Sequence, residues 1–268
     1  ARRIPPPLGT TLLYLVFMGK TWKLTNDQRA LIPSLYERGW TTARIAAEYN
    51  ITQTAVISLL RRRGAVFRPK PRIGCDDTFF RLIDAAAKAY WLGFLWADGT
   101  IQAARGGLIV SLATKDTEHL ERLRRSLRIG NRVFAYRYGA LNFVRLAWTS
   151  HAMVADLARH GLTTPRDLSK GLPEIPERWF GAFVRGYFDG DGTVGIYRVK
   201  GSARYGPYMR PVLRIVSGSR TLLESIAALC CARGIRVRTR PHKTIFQMEC
   251  DARRHLVPLR DWLYADSG

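Results

Sequence analysis

Apolar runs long enough to cross a membrane are missing from this 268-residue chain. A spanning helix needs roughly 18 such residues. The longest run here, Leu12–Met18, is far shorter. It also lacks the charged lead and small-residue cleavage site of a signal peptide, so neither an anchor nor a leader is expected. Cysteine is scarce: Cys75, Cys230, Cys231 and Cys250 form no CxxC pair. A structural zinc site or a disulfide framework is therefore not expected, and a reducing compartment is. Acidic residues are few, 21 against 43 Lys and Arg, for a net charge of +22. Asparagine occurs four times and lysine only eight times against 35 arginines, a bias that suggests a GC-rich genome. With 47% apolar residues the chain can bury a core, which excludes wholesale disorder.

A soluble chain this basic is most often built to meet a polyanion. Residues 1–74 carry net +10 and residues 75–268 net +12, so this is not a neutral enzyme with a basic tail. Double-stranded DNA is the expected partner, and a membrane is not. The expected location is the cytoplasm of a prokaryote or phage-infected cell, at the nucleoid.

Residues 1–23 resist assignment beyond the stiff Pro5-Pro6-Pro7. Residues 24–64 read as three helices. Thr25 or Asn26 caps the first, which turns Leu31, Ile32 and Leu35 inward and ends at Gly39. Thr41 or Thr42 opens the second, with Ile45, Ala46 and Tyr49 inward. Thr52 caps the third, which buries Val56, Leu59 and Leu60 and stops at Gly64. A short helix, a tight break at Asn50-Ile51 and a polar-fronted helix is the grammar of a helix-turn-helix. The segment TARIAAEYNITQTAVISLLRRRG (42–64) resembles the helix-turn-helix domains of resolvase-like and transcription-factor proteins. On that reading Gln53, Thr54 and Ser58 face base edges, and Arg61, Arg62 and Arg63 face phosphates. Residues 65–78 read as a basic linker whose Arg68, Lys70 and Arg72 suit a minor groove.

The rest of the chain repeats. AYWLGFLWADG (89–99) and FVRGYFDGDG (183–192) share the pattern apolar-x-Gly-aromatic-apolar-x-small-Asp-Gly, 93 residues apart. The match runs on: SLATKDTEHLERL (111–123) aligns with VSGSRTLLESI (216–226), and RVFAYRYGALNFVRLAW (132–148) with RVRTRPHKTIFQME (236–249). Each copy closes with a helix, giving the order αββαββα, with repeats over 79–171 and 172–268. Gly93 and Ala97 lie four apart on one helix, Gly186 and Gly190 on the other. Residues four apart share a face, and small ones let two helices cross closely. Asp98 and Asp191 then meet at two helix C-termini, where the dipole and mutual repulsion both disfavour them. A divalent cation removes that conflict, and oxygen ligands suit Mg²⁺.

These paired motifs resemble the LAGLIDADG homing endonuclease family in its single-chain, two-motif form. The resemblance implies an α+β fold: two pseudo-symmetric αββαββα repeats, here with a small all-α helix-turn-helix domain added. It also implies a monomeric, site-specific endonuclease of intron-mobility type. Such an enzyme makes a Mg²⁺-dependent staggered cut with 3′ overhangs in a long asymmetric duplex, and Mn²⁺ or Ca²⁺ can substitute for binding. Asp98 and Asp191 would be metal ligands, helped by the backbone carbonyls of Ala97 and Gly190. Lys170 or Arg166, from GLTTPRDLSKGL (161–172), would support transition-state charge, with Lys115 near a strand end. Trp96 departs from the acid found at the same place in the second motif, Asp189. The DNA-reading strands would carry Arg132, Arg137, Arg145, Arg198, Lys200, Arg214, Arg236, Arg238, Arg240 and Lys243, with Arg236, Arg238 and Arg240 on one face. The rival readings on the same scaffold are a non-catalytic DNA-binding regulator and an RNA-splicing maturase.

Overall fold

Three threonines start the first part of the structure. In the computed structural model, which describes residues 24–68, 74–201 and 206–266, the described residues fall into two units, one up to residue 68 and one from residue 74 on. In the first unit, α1 (Asn26–Glu37) opens with a reciprocal cap. Thr25 Oγ1 accepts from the Gln28 N–H, and Gln28 Oε1 accepts from the Thr25 N–H. Thr41 caps α2 (Thr42–Glu48) and Thr52 caps α3 (Gln53–Arg62). Gly39 and Gly64 follow α1 and α3 in the left-handed region, and Asn50 takes the same conformation between α2 and α3. Ile32, Tyr36, Ile45, Val56 and Leu60 form a small core. Leu31, expected inside, is 45% exposed. The inward stripe runs through Ile32, Leu35 and Tyr36, and one residue back turns a side chain about 100° away from it. The expectations for residues 1–23 and for Lys70 and Arg72 lie outside the described residues.

The second unit is an α+β fold in which one order of elements occurs twice. The first copy runs α4 (Ala86–Asp98), β1 (Gly99–Gln102), β2 (Gly107–Ala113), α5 (Thr117–Ser126), β3 (Phe134–Tyr138), β4 (Leu141–Thr149) and α6 (His151–Arg159). The second runs α7 (Phe180–Asp191), β5 (Gly192–Val199), β6 (Tyr208–Ser217), α8 (Arg220–Ala232), β7 (Arg238–His242), β8 (Ile245–Cys250) and α9 (Arg253–Tyr264). Each copy makes one antiparallel four-stranded sheet, ordered β1-β2-β4-β3 and β5-β6-β8-β7. Alternation leaves one face of each sheet apolar. Val110, Val144, Leu146, Ile215 and Met248 on those faces join the helices in a single core. Ala89, Phe94, Phe183 and Val184, from α4 and α7, belong to that same core, so the repeats are halves of one body.

Candidate active site and nucleic-acid interface

The site is built where α4 and α7 cross. A β-carbon on Gly93 would lie 1.9 Å from the Phe183 carbonyl oxygen, and one on Gly186 would lie 1.9 Å from that of Tyr90. Tyr90 and Phe183 occupy the same place in the two motifs, so the two approaches are reciprocal and two-fold. At the far end a β-carbon on Gly190 would meet Ala97 Cβ at 2.4 Å and Asp98 Oδ2 at 2.8 Å. The four residues expected at the helix interface are thus all in it. Both helices end at their aspartate, and Gly99 and Gly192 turn the chain straight into β1 and β5. Neither glycine is left-handed. They are needed for space, because a β-carbon would meet the Leu95 carbonyl oxygen at 2.4 Å and that of Phe188 at 2.3 Å.

Asp98 and Asp191 are both partly buried and carry raised pKa values. Burial is the main cause for Asp98, and the Asp191 charge adds to it, taking the carboxyl to about 6. Burial also raises Asp191, against lowering by a hydrogen bond from Tyr187 and by the Arg166 charge. Two acceptor-only groups held at helix C-termini, at a net cost to their ionisation, suit a hard divalent cation with water and phosphate oxygens completing its shell. Among the described residues no third His, Cys, Asp or Glu joins them.

The carbonyl expected to help at Ala97 is already engaged. Arg166 Nη2 donates to the Ala97 oxygen at 3.0 Å and to the Gly99 oxygen at 2.9 Å. A guanidinium there satisfies helix-end carbonyls and opposes the negative end of the dipole. Of the two cations the sequence left open, Arg166 is the one that lowers both aspartates. Lys170 lines one cavity with Arg166, Trp96, Gly161, Tyr187 and Ser217, but it is not among the groups that shift either aspartate.

A second cavity, about 550 Å³, opens beside Asp98 and is lined by Lys115, Asp116, His119 and Asp189. Lys115 thus lies beside Asp98, and Asp116, His119 and Asp189, which were not among the expected site residues, line the same cavity. The Tyr90 hydroxyl donates to Asp189 Oδ2 at 2.6 Å, and His119 Nε2 lies 3.4 Å from the same hydroxyl. Burial lowers the His119 pKa and raises that of Tyr90. Asp116 could have been found by aligning the repeats, since it holds the N-cap place that Ser219 holds in the second copy.

The sheet faces turned away from the helices sort the basic residues. Arg145 shares its face with Ser111 and Phe134, while Arg214, Arg238 and Glu249 share the equivalent face of the other sheet. Arg240, two residues along β7, joins them. By the same alternation Arg137 and Arg198 point to the opposite, helix-bearing sides, which corrects their assignment. Arg236 also departs from expectation, because β7 starts only at Arg238. Arg132, Lys200 and Lys243 lie outside the strands.

In the three-helix unit Thr54 and Arg61 to Arg63 are exposed and Ser58 is partly so. Gln53 is exposed, but its Nε2 donates to Thr42 Oγ1 at 2.8 Å, tying α3 to α2. Arg68 is not a free arm: its guanidinium stacks 4.3 Å over Tyr36 and donates to the Trp40 carbonyl.

Residues 179–250 match the LAGLIDADG-like domain family. No curated protein matches the sequence. Among solved structures, the LAGLIDADG meganuclease I-AabMI bound to uncleaved DNA is 12% identical at TM-score 0.46, covering 66% of this chain and 89% of that one. I-SmaMI, bound to an uncleaved DNA target in the presence of calcium ions, is 14% identical at TM-score 0.44, covering 65% and 84%. Full-length DUF199/WhiA from Thermatoga maritima is 13% identical at TM-score 0.45, covering 70% and 59%. The family match thus lies within the second repeat, whose order of elements and strand order the first repeat shares.

Proposed function

We propose that this chain is a site-specific endonuclease of double-stranded DNA that needs a divalent cation, Mg²⁺ by preference. The observation that carries the proposal is the Asp98–Asp191 pair: two carboxylates kept half-buried and close at the ends of helices that only glycine and alanine allow to cross. Burying paired acids costs stability, and a structural role would not require them. Asp98 and Asp191, with the Gly190 carbonyl, would hold the cation. When bound, it would lower the pKa of an attacking water and neutralise the scissile phosphate. Arg166 fixes the end of α4, and so the place of Asp98, while bringing positive charge to the pair. Lys115 places an ammonium in the cavity beside Asp98, where a phosphate oxygen can be met. The sheet faces would lie in the major groove and the cut would be staggered with 3′ overhangs. The three-helix unit would act as a tethered helix-turn-helix that raises affinity through effective concentration.

One observation favours a second reading, a non-catalytic DNA-binding regulator. Arg166 supplies both aspartates with positive charge without a metal. A single experiment separates the two. The full chain is incubated with a randomised duplex library in Mg²⁺, in EDTA, and as the Asp98→Asn/Asp191→Asn variant. The nuclease gives sequence-specific double-strand cuts only in the first. Enrichment of bound duplexes with no cut in Mg²⁺ or Mn²⁺ gives the regulator.

A further inference from the structure

The two sheets present opposite chemistry at equivalent positions. Arg145 sits between Ser111 and Phe134 across its sheet, and Glu249 sits between Arg214 and Arg238 across the other. Two residues further along the edge strands, Tyr136 corresponds to Arg240. The first face is therefore one arginine among aromatic rings. The Arg145 guanidinium lies 4.5 Å over Tyr136, which stacks on Phe143 at 5.6 Å, and Phe134 is 47% exposed. The second face is a set of carboxylates among arginines with one ring beside them, Tyr197, which lies 4.6 Å under the Arg214 guanidinium and accepts from its Nη1 at 2.7 Å. Glu249, only 4% exposed, accepts from Arg214 at 3.2 Å, Arg240 at 2.9 Å and Gln247 at 2.9 Å. Asp251 accepts from Arg210 and Arg238.

Phosphates alone do not call for this arrangement. A phosphate contact needs only a cation, whereas burying Glu249 costs desolvation that three donors must offset. What the buried acid adds is position: each guanidinium has five donors, and one given to a carboxylate leaves the rest in a fixed fork. A fixed fork matches the O6 and N7 acceptors of guanine in the major groove. An aromatic and apolar face has no such donors beyond Arg145, but it fits the thymine methyl group. Resting on the duplex-DNA reading above, we infer that the two half-sites differ in composition. The half under the first sheet is rich in A·T pairs read through thymine methyls by Tyr136, Phe134 and Phe143. The half under the second is rich in G·C pairs read by Arg238 and Arg240, with Arg214 held beneath them by Glu249 and Tyr197.

The test is a binding selection of the full chain on a randomised duplex library in Ca²⁺, followed by base replacement in the selected site. One half should be A·T-rich and the other G·C-rich. Deoxyuridine in place of thymidine in the A·T half should weaken binding about fourfold for each methyl removed. 7-Deazaguanine, which lacks the N7 acceptor, should weaken binding about tenfold for each contacted guanine in the G·C half. Tyr136→Ala should remove the sensitivity to deoxyuridine alone, and Arg240→Ala that to 7-deazaguanine alone. Arg240→Lys, which keeps the charge and loses the fork, repeats the second arm should the alanine variant fail to fold. A bound site with two halves of like composition overturns the inference and leaves the duplex reading standing. So does a Tyr136→Ala variant that loses sensitivity to 7-deazaguanine. Preference for single strands through Tyr136 would make the aromatic face a base-stacking platform and overturn it too. Failure to bind any duplex removes both readings together.

Discussion

Tyr90 donates its hydroxyl to Asp189 at 2.6 Å across the crossing helices, and at the two equivalent positions Phe183 meets Trp96 edge to face, ring centres 5.5 Å apart. The same contact of the two-fold is thus made once as a hydrogen bond and once as an aromatic pair. Each partner suits only its own mate. Asp189→Trp alone would take from the partly buried Tyr90 hydroxyl its 2.6 Å acceptor and leave only His119 Nε2 at 3.4 Å, at a cost of about 1 kcal/mol. Tyr90→Phe alone should cost about 1 kcal/mol. The double variant rebuilds the other copy's pair, so its loss in urea unfolding should be smaller than the sum of the two. Simple additivity would show that the pair is not coupled.

Gly93→Ala tests the helix crossing itself. The added carbon would start 1.9 Å from the Phe183 carbonyl oxygen, which is backbone and cannot swing aside. The helices must part, and the core they share must part with them. A loss of about 3 kcal/mol or more is expected in denaturant unfolding, against well under 1 kcal/mol for an exposed glycine in open space such as Gly206. A loss as small at Gly93 as at Gly206 would show that the crossing tolerates separation.

The helix crossing was legible because its signal is local: small residues four apart, then Asp-Gly, written twice. The three-helix unit was legible for the same reason, through threonine caps and glycine stops. What escaped depends on long-range register. The alternation in RVRTR is plain, but which face Arg137 or Arg198 takes is decided by the strand opposite. That Arg166 and not Lys170 reaches the end of α4 depends on a loop whose path no periodicity encodes. Leu31 shows the limit on helices too, since one position of phase separated an exposed side chain from the buried stripe.

The aspartate pair should make the metal-free protein more stable in acid than in base, within one window. An unfolded aspartate titrates near 3.8, whereas folded Asp98 titrates near 6, and Asp191 is also raised. Between those values the folded chain holds protons that the unfolded chain has released, so these groups' contribution falls as pH rises through 6. Asp98→Asn and Asp191→Asn remove the ionisation. In EDTA each should raise the melting temperature at pH 8 more than at pH 5. An equal gain at both would mean that the carboxylates are not strained by burial.

Arg166 and Lys170 lie four residues apart in one loop, yet the structure gives them different work. Arg166→Ala strips the Ala97 and Gly99 carbonyls of their donor and takes positive charge away from both aspartates. It should cost about 1–2 kcal/mol of stability and, if the chain is the proposed nuclease, lower cleavage at least tenfold. The further rise in the Asp98 pKa should move the acid limb of the pH–rate profile upward. Lys170→Ala removes a cation that shares a cavity with Arg166 but does not shift either aspartate, and both stability and the pH profile should stay near those of the parent. Arg166→Lys keeps the charge without the planar donor that reaches two carbonyls at once, so it should restore the pH profile more fully than the stability. Should Lys170→Ala instead abolish cleavage while Arg166→Ala leaves it intact, the catalytic cation would be the lysine, and the guanidinium on the helix end would be only its cap.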